Sequence, residues 1–406
     1  MDDIILILGP EHCDWAARGL FESVNRRPGK QRAIYLKRIS GSGECPRQLA
    51  EHEYFWDPGG KAGFYPTCET SPEMEAVLRF FLKHIHPNSI YIQIDPAFNF
   101  AILELIRTQM EAIPIYLSVL DYHYICPLSS QMLFPSGNAC KNPAPAKCVH
   151  CIQGISQSEL WQRQRRFNHF INLADGIIVP ANFMLNRYLE HGYIAEKLCS
   201  VEPCLPRLRT GYFPKKVRNY SNYTYIGPVN PASGIQRILG ALANLAPEIQ
   251  KKISIHIYSP PLSDQPAEFQ AEIKTYLGQL RNLNNVSWQA EPISEELPQL
   301  VNDADWLLAP ALWGEALSLP IGIARRMRIP VIAAGDACHG EKISHMETGL
   351  LVGETQPMKH WEEALKATAG NASLWEKICA AIEDDGQNIL DDNLRVLGLL
   401  EDVWDF

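Results

Sequence analysis

Short apolar runs alternate with longer amphipathic segments along almost the whole chain, and this rhythm restricts the fold more than any other feature. Such alternation is the pattern of parallel strands joined by crossover helices. It predicts strands over Ile4–Leu8, Ala33–Leu36, Ile90–Ile94, Ile113–Val119, Gly176–Val179 and Leu198–Val201. Helical periodicity fits Cys13–Asn25, Pro72–His84, Phe98–Glu111, Ser156–Leu173 and Asn182–His191. The interval Lys37–Thr70 is rich in Gly and Pro and reads as loop, with an aromatic turn at Tyr54–Trp56.

Between Pro203 and Asn222 the rhythm fails, and prolines, a glycine and basic residues give linker chemistry. A second series follows, with strands expected over Tyr223–Ile226, Ile253–Tyr258, Val286–Gln289, Trp306–Ala309 and Val331–Ala333. Its helices are expected over Ser233–Leu245, Ala267–Leu280, Glu295–Asn302, Leu317–Met327 and Lys359–Ala369. Ile253–Tyr258 alternates apolar and polar residues, which places it at a sheet edge. No internal repeat is evident. The expected organisation is an α/β chain of two Rossmann-like domains facing a cleft. The first spans 1–205, a linker 206–222, the second 223–385, and an amphipathic helix 386–406. Open parallel sheets bind ligands beyond the carboxyl ends of their strands, so the architecture implies a small molecule.

The chain has 406 residues, enough for two cores, and a net charge of −9. That balance argues against nucleic acid as a partner. The clusters Lys215–Lys216–Arg218 and Arg163–Arg165–Arg166 read as solvated faces. No stretch reaches the ~18 consecutive apolar residues of a membrane span. The start, MDDIILILGP, is acidic and runs straight into a strand, unlike a secretory signal. The expected location is therefore cytoplasmic and reducing, and the eleven cysteines are thiols or metal ligands rather than disulfides. Neither half carries the Gly-x-Gly-x-x-Gly turn of a dehydrogenase.

The second half holds the most specific motifs. Tyr225-Ile-Gly227-Pro-Val-Asn-Pro-Ala-Ser233-Gly234 precedes a helix, and Ala304-Asp305-Trp-Leu-Leu-Ala-Pro310-Ala-Leu-Trp313-Gly-Glu315 follows later. Ile323-Ala324 through Pro330-Val331-Ile332-Ala333 comes next, then Glu341 and Thr348-Gly349-Leu350-Leu351-Val352. In the first half stand Asp121-Tyr-His123-Tyr-Ile-Cys126-Pro127 and Ala174-Asp175-Gly-Ile-Ile-Val-Pro180. This order resembles family-four glycosyltransferases of the GT-B fold over nearly the whole chain, least over residues 1–110.

The resemblance implies retaining transfer of a sugar from a nucleoside diphosphate sugar to a hydroxyl on a glycan or protein acceptor. The leaving diphosphate gains negative charge, which helix N-termini and backbone amides stabilise. The resemblance assigns the donor to Gly227, Ser233, Gly234, Glu315, Gly335 and Glu341, and the transfer itself to Glu315, Asp121 and His123. Two glycines, Gly335 and Gly340, allow close backbone approach to phosphate, or form an ordinary strand-to-helix turn. Glu315 either orients the sugar or caps the helix that starts near Ala316. In this fold the C-terminal helix crosses back onto the first domain, and 386–406 is expected to do so.

Four polar functions of the family are missing here. Its Arg is Pro228, its Lys is Ser233, its second glutamate falls on Ile323, and the His before Asp121 is Leu120. Arg237, Arg325, Arg326 and His123 are the residues available to compensate. Two readings stay open: an active enzyme with an altered phosphate grip, or a pseudo-glycosyltransferase serving as binding subunit or chaperone for a partner glycosyltransferase.

Cys126, Cys140, Cys148 and Cys151 fall in one stretch whose Pro and Gly residues forbid long helix or strand. Four thiolates around zinc or iron would order it, in a closed tetrahedral structural site. Reduced, unligated cysteines are the alternative. His150 and His123 are substitutes for one ligand. A cysteine loop of this kind also resembles an insertion in a subset of the family.

Overall fold

A computed structural model describes residues 3–11, 14–26, 29–40, 47–128, 132–134, 140, 143–203, 205, 219–280, 285–292, 296–312, 319–335, 338–353 and 358–382. The chain forms two compact units, the first on the described residues of 3–132 and 140–205, the second on 133–134 and on the described residues from 219 onward. Most of the expected linker 206–222 and all of the expected helix 386–406 lie outside the described residues.

The first unit is built on β1 (Asp3–Gly9), β2 (Gln31–Arg38), β3 (Arg47–Ala50), β4 (Glu53–Trp56), β5 (Ser89–Ile94), β6 (Ile115–Val119), β7 (Gly176–Val179) and β8 (Leu198–Ser200). They form one sheet in the order β3-β4-β2-β1-β5-β6-β7-β8. Every pair is parallel except β3 with β4. Each residue of β5 and β6 is buried, as expected of strands covered on both faces.

The second unit holds β9 (Ser221–Ile226), β10 (Ile253–Tyr258), β11 (Val286–Gln289), β12 (Trp306–Ala309), β13 (Val331–Ala334) and β14 (Gly349–Val352). Its order is β11-β10-β9-β12-β13-β14, parallel throughout. Trp306, Trp361 and Tyr223, each fully buried, sit in the core that helices Ile235–Asn244 and Met358–Thr368 help to close. The doubly wound, two-domain α/β architecture read from the sequence is thus the one observed.

Two expectations need correction. The interval Lys37–Thr70 contains a hairpin, in which β4 adds parallel to β2 with Leu36 opposite Tyr54. Burial of Trp56 to 2% exposure compensates for the turn, where His52 takes a positive φ of 62°. And β10 is not an edge strand, because β11 covers it. Its alternation reflects one face in the core and one half-exposed face.

One device occurs in both sheets. Asp175 stands at the start of β7, and its carboxylate accepts the Ile115 N–H at 2.8 Å while its own N–H donates to the Ile115 carbonyl at 2.8 Å. Asp305 stands at the start of β12 and exchanges the same two bonds with Asn222 at 2.8 Å each. The segments Ala174-Asp175-Gly-Ile-Ile-Val-Pro180 and Ala304-Asp305-Trp-Leu-Leu-Ala-Pro310 are therefore one solution used twice. A carboxylate pins the strand to its neighbour at the root, and a proline, which lacks the N–H needed to extend the ladder, stands just past its end.

Candidate functional site

In each sheet the chain leaves the first strand toward one side and later returns to its other side, and the carboxyl edge at that point is where ligands settle. In the first unit the carboxyl ends of β1, β2, β5 and β6 bring Gly9, Arg38, Asp95 and Asp121 to one edge. A Cβ on Gly9 would stand 2.2 Å from the Tyr35 hydroxyl, so the tight passage off β1 requires glycine. Arg38 forks onto both carboxylate oxygens of Asp95, at 3.1 and 2.7 Å, and donates to the Ala97 carbonyl at 2.6 Å. Gly9, Arg38 and Asp95, with Trp56, Gln93 and Asn99, line a small pocket of about 30 Å³. The Trp56 indole N–H and the Arg38 Nε–H are buried without an acceptor among the described residues.

Asp121 begins the segment after β6, and its carboxylate accepts the His123 N–H at 2.7 Å. Tyr188 donates its hydroxyl to the Asp121 carbonyl and Tyr124 to the Asp95 carbonyl, each at 2.8 Å. Burial pushes the Asp121 carboxyl up to about 6; the His123 N–H pulls the other way, and the charge of Asp95 adds a smaller upward push. Burial, with Arg163 nearby, lowers His123 to about 4, so its ring is neutral at physiological pH. The ring stands edge-on to Tyr124 and Phe167. The edge thus offers a carboxylate that titrates near neutrality beside a neutral imidazole, a pair suited to orienting a hydroxyl and accepting its proton.

Sequence reasoning missed Arg163. The side chain assigned to a solvated face is 2% exposed. Its helix, Gln157–Ile171, starts at a capping box in which Ser156 and Glu159 satisfy each other's backbone N–H. Arg163 donates to the His123 carbonyl, and its guanidinium lies 4.6 Å from the Phe167 ring centroid and 5.7 Å from that of Phe64. The signal available in the sequence was helical spacing, since Leu160, Arg163, Phe167 and Phe170 share the buried face.

The cysteines gather beside this group. Cys126 is buried; Cys140, Cys148 and Cys151 are half-buried, and all four are free thiols. Cys148 and Cys151 flank a tight turn in which the Cys151 N–H donates to the Cys148 carbonyl at 3.0 Å. Burial pushes the Cys148 thiol up to about 11, and the charges of Cys126, Cys140 and Cys151 act in the same direction. Cys148 therefore lies within electrostatic reach of the other three. Among the described residues, no three His, Cys, Asp or Glu side chains converge closely enough to hold an ion.

In the second unit β9 ends at Ile226, and Gly227 follows with φ 144° and its N–H on the Tyr258 carbonyl at 3.0 Å. Ser233 is buried, and its hydroxyl donates to the Asn230 carbonyl at 2.7 Å and accepts the Ile235 N–H at 3.4 Å. Its oxygen braces the loop. Gly234 caps helix Ile235–Asn244 at φ 76°, and a Cβ there would lie 1.8 Å from the Pro310 carbonyl oxygen. Only glycine lets the helix start touch the end of β12. Arg237 stands in the first turn of this helix, at the carboxyl edge of the sheet.

Gly335 follows β13 with its N–H 2.5 Å from the Val352 carbonyl, and Glu341 is exposed on the short helix Cys338–Lys342. Glu315 lies outside the described residues. Ile323, where the family's second carboxylate would fall, is 2% exposed and faces the core. Arg325 and Arg326 occupy the last turn of helix Leu319–Arg326, which returns the chain from β12 to the start of β13. That end lies at the amino edge of the sheet, so neither can take up the phosphate grip of the missing cations. Burial lowers His339 to about 4, and its ring is enclosed next to this loop.

Comparison with solved structures places this geometry in a known fold. The chain aligns with Anabaena HepE in complex with UDP and glucose at a TM-score of 0.63 and 14% identity, covering 98% of this chain and 100% of that one. The sucrose-phosphate synthase of Thermosynechococcus elongatus aligns at 0.69 with 14% identity over 99% of each chain. A glycosyltransferase from Rickettsia africae aligns at 0.64 with 13% identity, over 100% of this chain and 99% of that one. No protein-family profile and no curated protein matches the sequence. The fold is therefore GT-B, shared with glycosyltransferases along the full length of the chain. No helix among the described residues is long and apolar enough to cross a membrane.

Proposed function

We propose that this chain is a retaining, family-four-like glycosyltransferase that moves a sugar from a nucleoside diphosphate sugar to a hydroxyl acceptor. The observation that carries the reading is the glycine-built start of helix Ile235–Asn244, where Gly234 packs on the end of β12. It leaves backbone N–H groups and the helix dipole at the carboxyl edge, a place suited to a diphosphate. Full-length likeness to proteins described with UDP, UDP-glucose and glucose supports the same reading.

On the donor side Gly227 and Gly234 bring backbone close to the diphosphate, and Gly335 and Glu341 border it. Arg237 supplies the positive charge that Pro228 and Ser233 do not. Glu315 orients the sugar. On the acceptor side Asp121 receives the hydroxyl proton, and neutral His123 stays by as a hydrogen-bonding partner. The acceptor docks along the carboxyl edge of the first sheet, which Arg38, Trp56 and Asp95 border.

Cys126, Cys140, Cys148 and Cys151 would hold a structural zinc. The donor set suits this ion in kind, thiolates being the soft ligands it prefers, although no three of these side chains converge in this structure closely enough to hold it. Zinc would order the segment beside Asp121 and take no part in transfer.

Calorimetric titration with UDP, GDP, ADP and dTDP, followed by an assay for nucleotide release from the matching sugar donor, tests the function. Micromolar binding of one nucleotide with turnover is the expected result. Binding of none by folded, metal-replete protein would reject the enzyme reading in favour of a pseudoenzyme.

A further inference from the structure

Two hydrogen-bond donors at the carboxyl edge of the first sheet are left over by every other contact, and a buried polar group without a partner is costly to a fold. Trp56 is 2% exposed, and its indole N–H has no acceptor among the described residues. Arg38 spends its two terminal nitrogens on Asp95 and the Ala97 carbonyl, which leaves its buried Nε–H without an acceptor as well. Both side chains line the same cavity of about 30 Å³, whose other walls include the apolar Leu36 and Ile92.

The polar groups that remain define what fits. Asn99 lines the cavity too, but its amide nitrogen serves the Pro58 and Glu69 carbonyls, each at 3.0 Å, and its oxygen accepts the Ala101 N–H. Asp95 Oδ1 accepts from Arg38 and from the Ala97 N–H, whereas Oδ2 accepts from Arg38 alone. Two N–H donors and one spare carboxylate lone pair are therefore left. A hydroxyl, with two lone pairs and one proton, satisfies all three at once. A carboxylate or phosphate oxygen brings no proton for Asp95 and meets its charge, while the Arg38 charge is already matched by that ion pair. Size agrees, because about 30 Å³ holds one or two water-sized groups and not a phosphoryl group.

We propose that the acceptor is a neutral carbohydrate, one of whose non-reacting hydroxyls seats in this cavity, accepting from Trp56 and Arg38 and donating to Asp95. The inference rests on the glycosyl-transfer reading above and goes further by choosing between a glycan and a protein acceptor. Asp95 follows β5 and Asp121 follows the neighbouring β6, where Ile94 pairs with Val119. Adjacent strands stand about 4.8 Å apart, so a reacting hydroxyl at Asp121 and a second one in the cavity can belong to one sugar. A serine or threonine side chain brings only the hydroxyl that reacts and leaves both N–H groups unpaired. Sites built to hydrogen-bond a hydroxyl reject ligands that lack it for this reason. Trp56 and Arg38 are thus specificity residues, and the hairpin β3–β4 exists in part to carry one of them to the ligand edge.

Direct binding tests this without depending on turnover. Full-length wild type, Trp56→Phe and Arg38→Lys are titrated by saturation-transfer NMR with neutral mono- and disaccharides, uronic acids, and peptides carrying serine or threonine. The sugar that binds is then replaced by its monodeoxy analogues. A neutral sugar is expected to bind wild type, with affinity about 3–10-fold lower in W56F, which keeps an aromatic ring and loses the N–H. One monodeoxy analogue should lose at least as much in wild type and lose nothing more in W56F, because both changes remove the same hydrogen bond. R38K keeps a charge for Asp95 without the Nε–H; it should couple to the same position, and it carries the comparison if W56F does not fold. A sugar whose every monodeoxy analogue remains as sensitive to W56F as the parent would overturn the inference alone and leave the two N–H groups to buried water. Preference for a uronic acid over its neutral parent, or binding of a peptide and no sugar, would also overturn it while the transfer reading stands. So would a wild type that binds a nucleoside diphosphate and nothing in the panel. Folded wild type that binds neither nucleotide nor sugar would overturn both readings together.

Discussion

Asp121 is held in a state that costs the fold stability near neutral pH, and replacing it with asparagine should release that cost. Its carboxyl sits at about 6 against an ordinary 3.8, chiefly because it is buried. An acid whose folded pKa is raised stabilises the native state most at low pH, and that contribution is lost as pH rises through the folded value. A shift of about two units corresponds to roughly 3 kcal/mol, of which about 2 kcal/mol develops between about pH 4.5 and pH 7.5. Asparagine keeps an oxygen for the His123 N–H, which Asp121 accepts at 2.7 Å, and carries no charge. Its extra amide donors cost about 1 kcal/mol if unpartnered. Asp121→Asn should therefore gain about 2 kcal/mol relative to wild type as pH rises across that window. Urea unfolding of the first domain, followed by fluorescence at both pH values, measures it. The same variant should lose turnover while its domain becomes more stable at neutral pH. A stability difference that does not change with pH would refute the reasoning, because it would mean that the carboxyl is not perturbed by its surroundings.

Four further outcomes follow from particular contacts. Gly234→Ala combines a positive φ with a clash against the Pro310 carbonyl and should cost about 3 kcal/mol, with loss of nucleotide binding by calorimetry. Arg237→Ala should weaken diphosphate binding by roughly tenfold or more while leaving the melting temperature within a degree or two, as expected of a half-exposed helix position. Asp305→Ala should cost about 2–3 kcal/mol in a urea titration of the second domain, because it strands the Asn222 N–H beside a buried carboxylate site. Asp175→Ala should cost less in the first domain, about 1–2 kcal/mol, since that side chain is half exposed to water.

Periodicity carried most of the fold. β7, β10, β11 and β12 run between the residues that the apolar runs mark, and helix Ala267–Leu280 does too. Where the reading failed, the deciding contact was distant in sequence. The hairpin β3–β4 exists because Tyr54 and Trp56 find β2, and a Gly- and Pro-rich composition conceals that pairing. Arg163 looked like surface because it belongs to a run of arginines, and only its helical phase with Leu160 and Phe167 betrays burial. Arg325 and Arg326 seemed able to replace the absent cations, but a helix between parallel strands carries its last turn away from the ligand edge. The two Ala-Asp strands escaped notice as a repeat because the shared feature is a bond to a neighbouring strand's backbone, which leaves no trace in that neighbour's side chains.

Those two strands have a consequence for how such a chain can change over time. The loops after β7 and β12 begin where a strand ends, and each strand is clamped at the opposite end by a carboxylate bonded to main chain. Main chain is a partner that no substitution except proline removes. A clamp of this kind survives replacement of almost every surrounding side chain, and it separates the anchoring of the strand from the composition of the loop it presents. Ligand-facing segments can then be rewritten, cations lost or moved and insertions accepted, without the sheet losing register. A chain only 14% identical to HepE over 98% of its length, yet of the same fold, is what that separation permits.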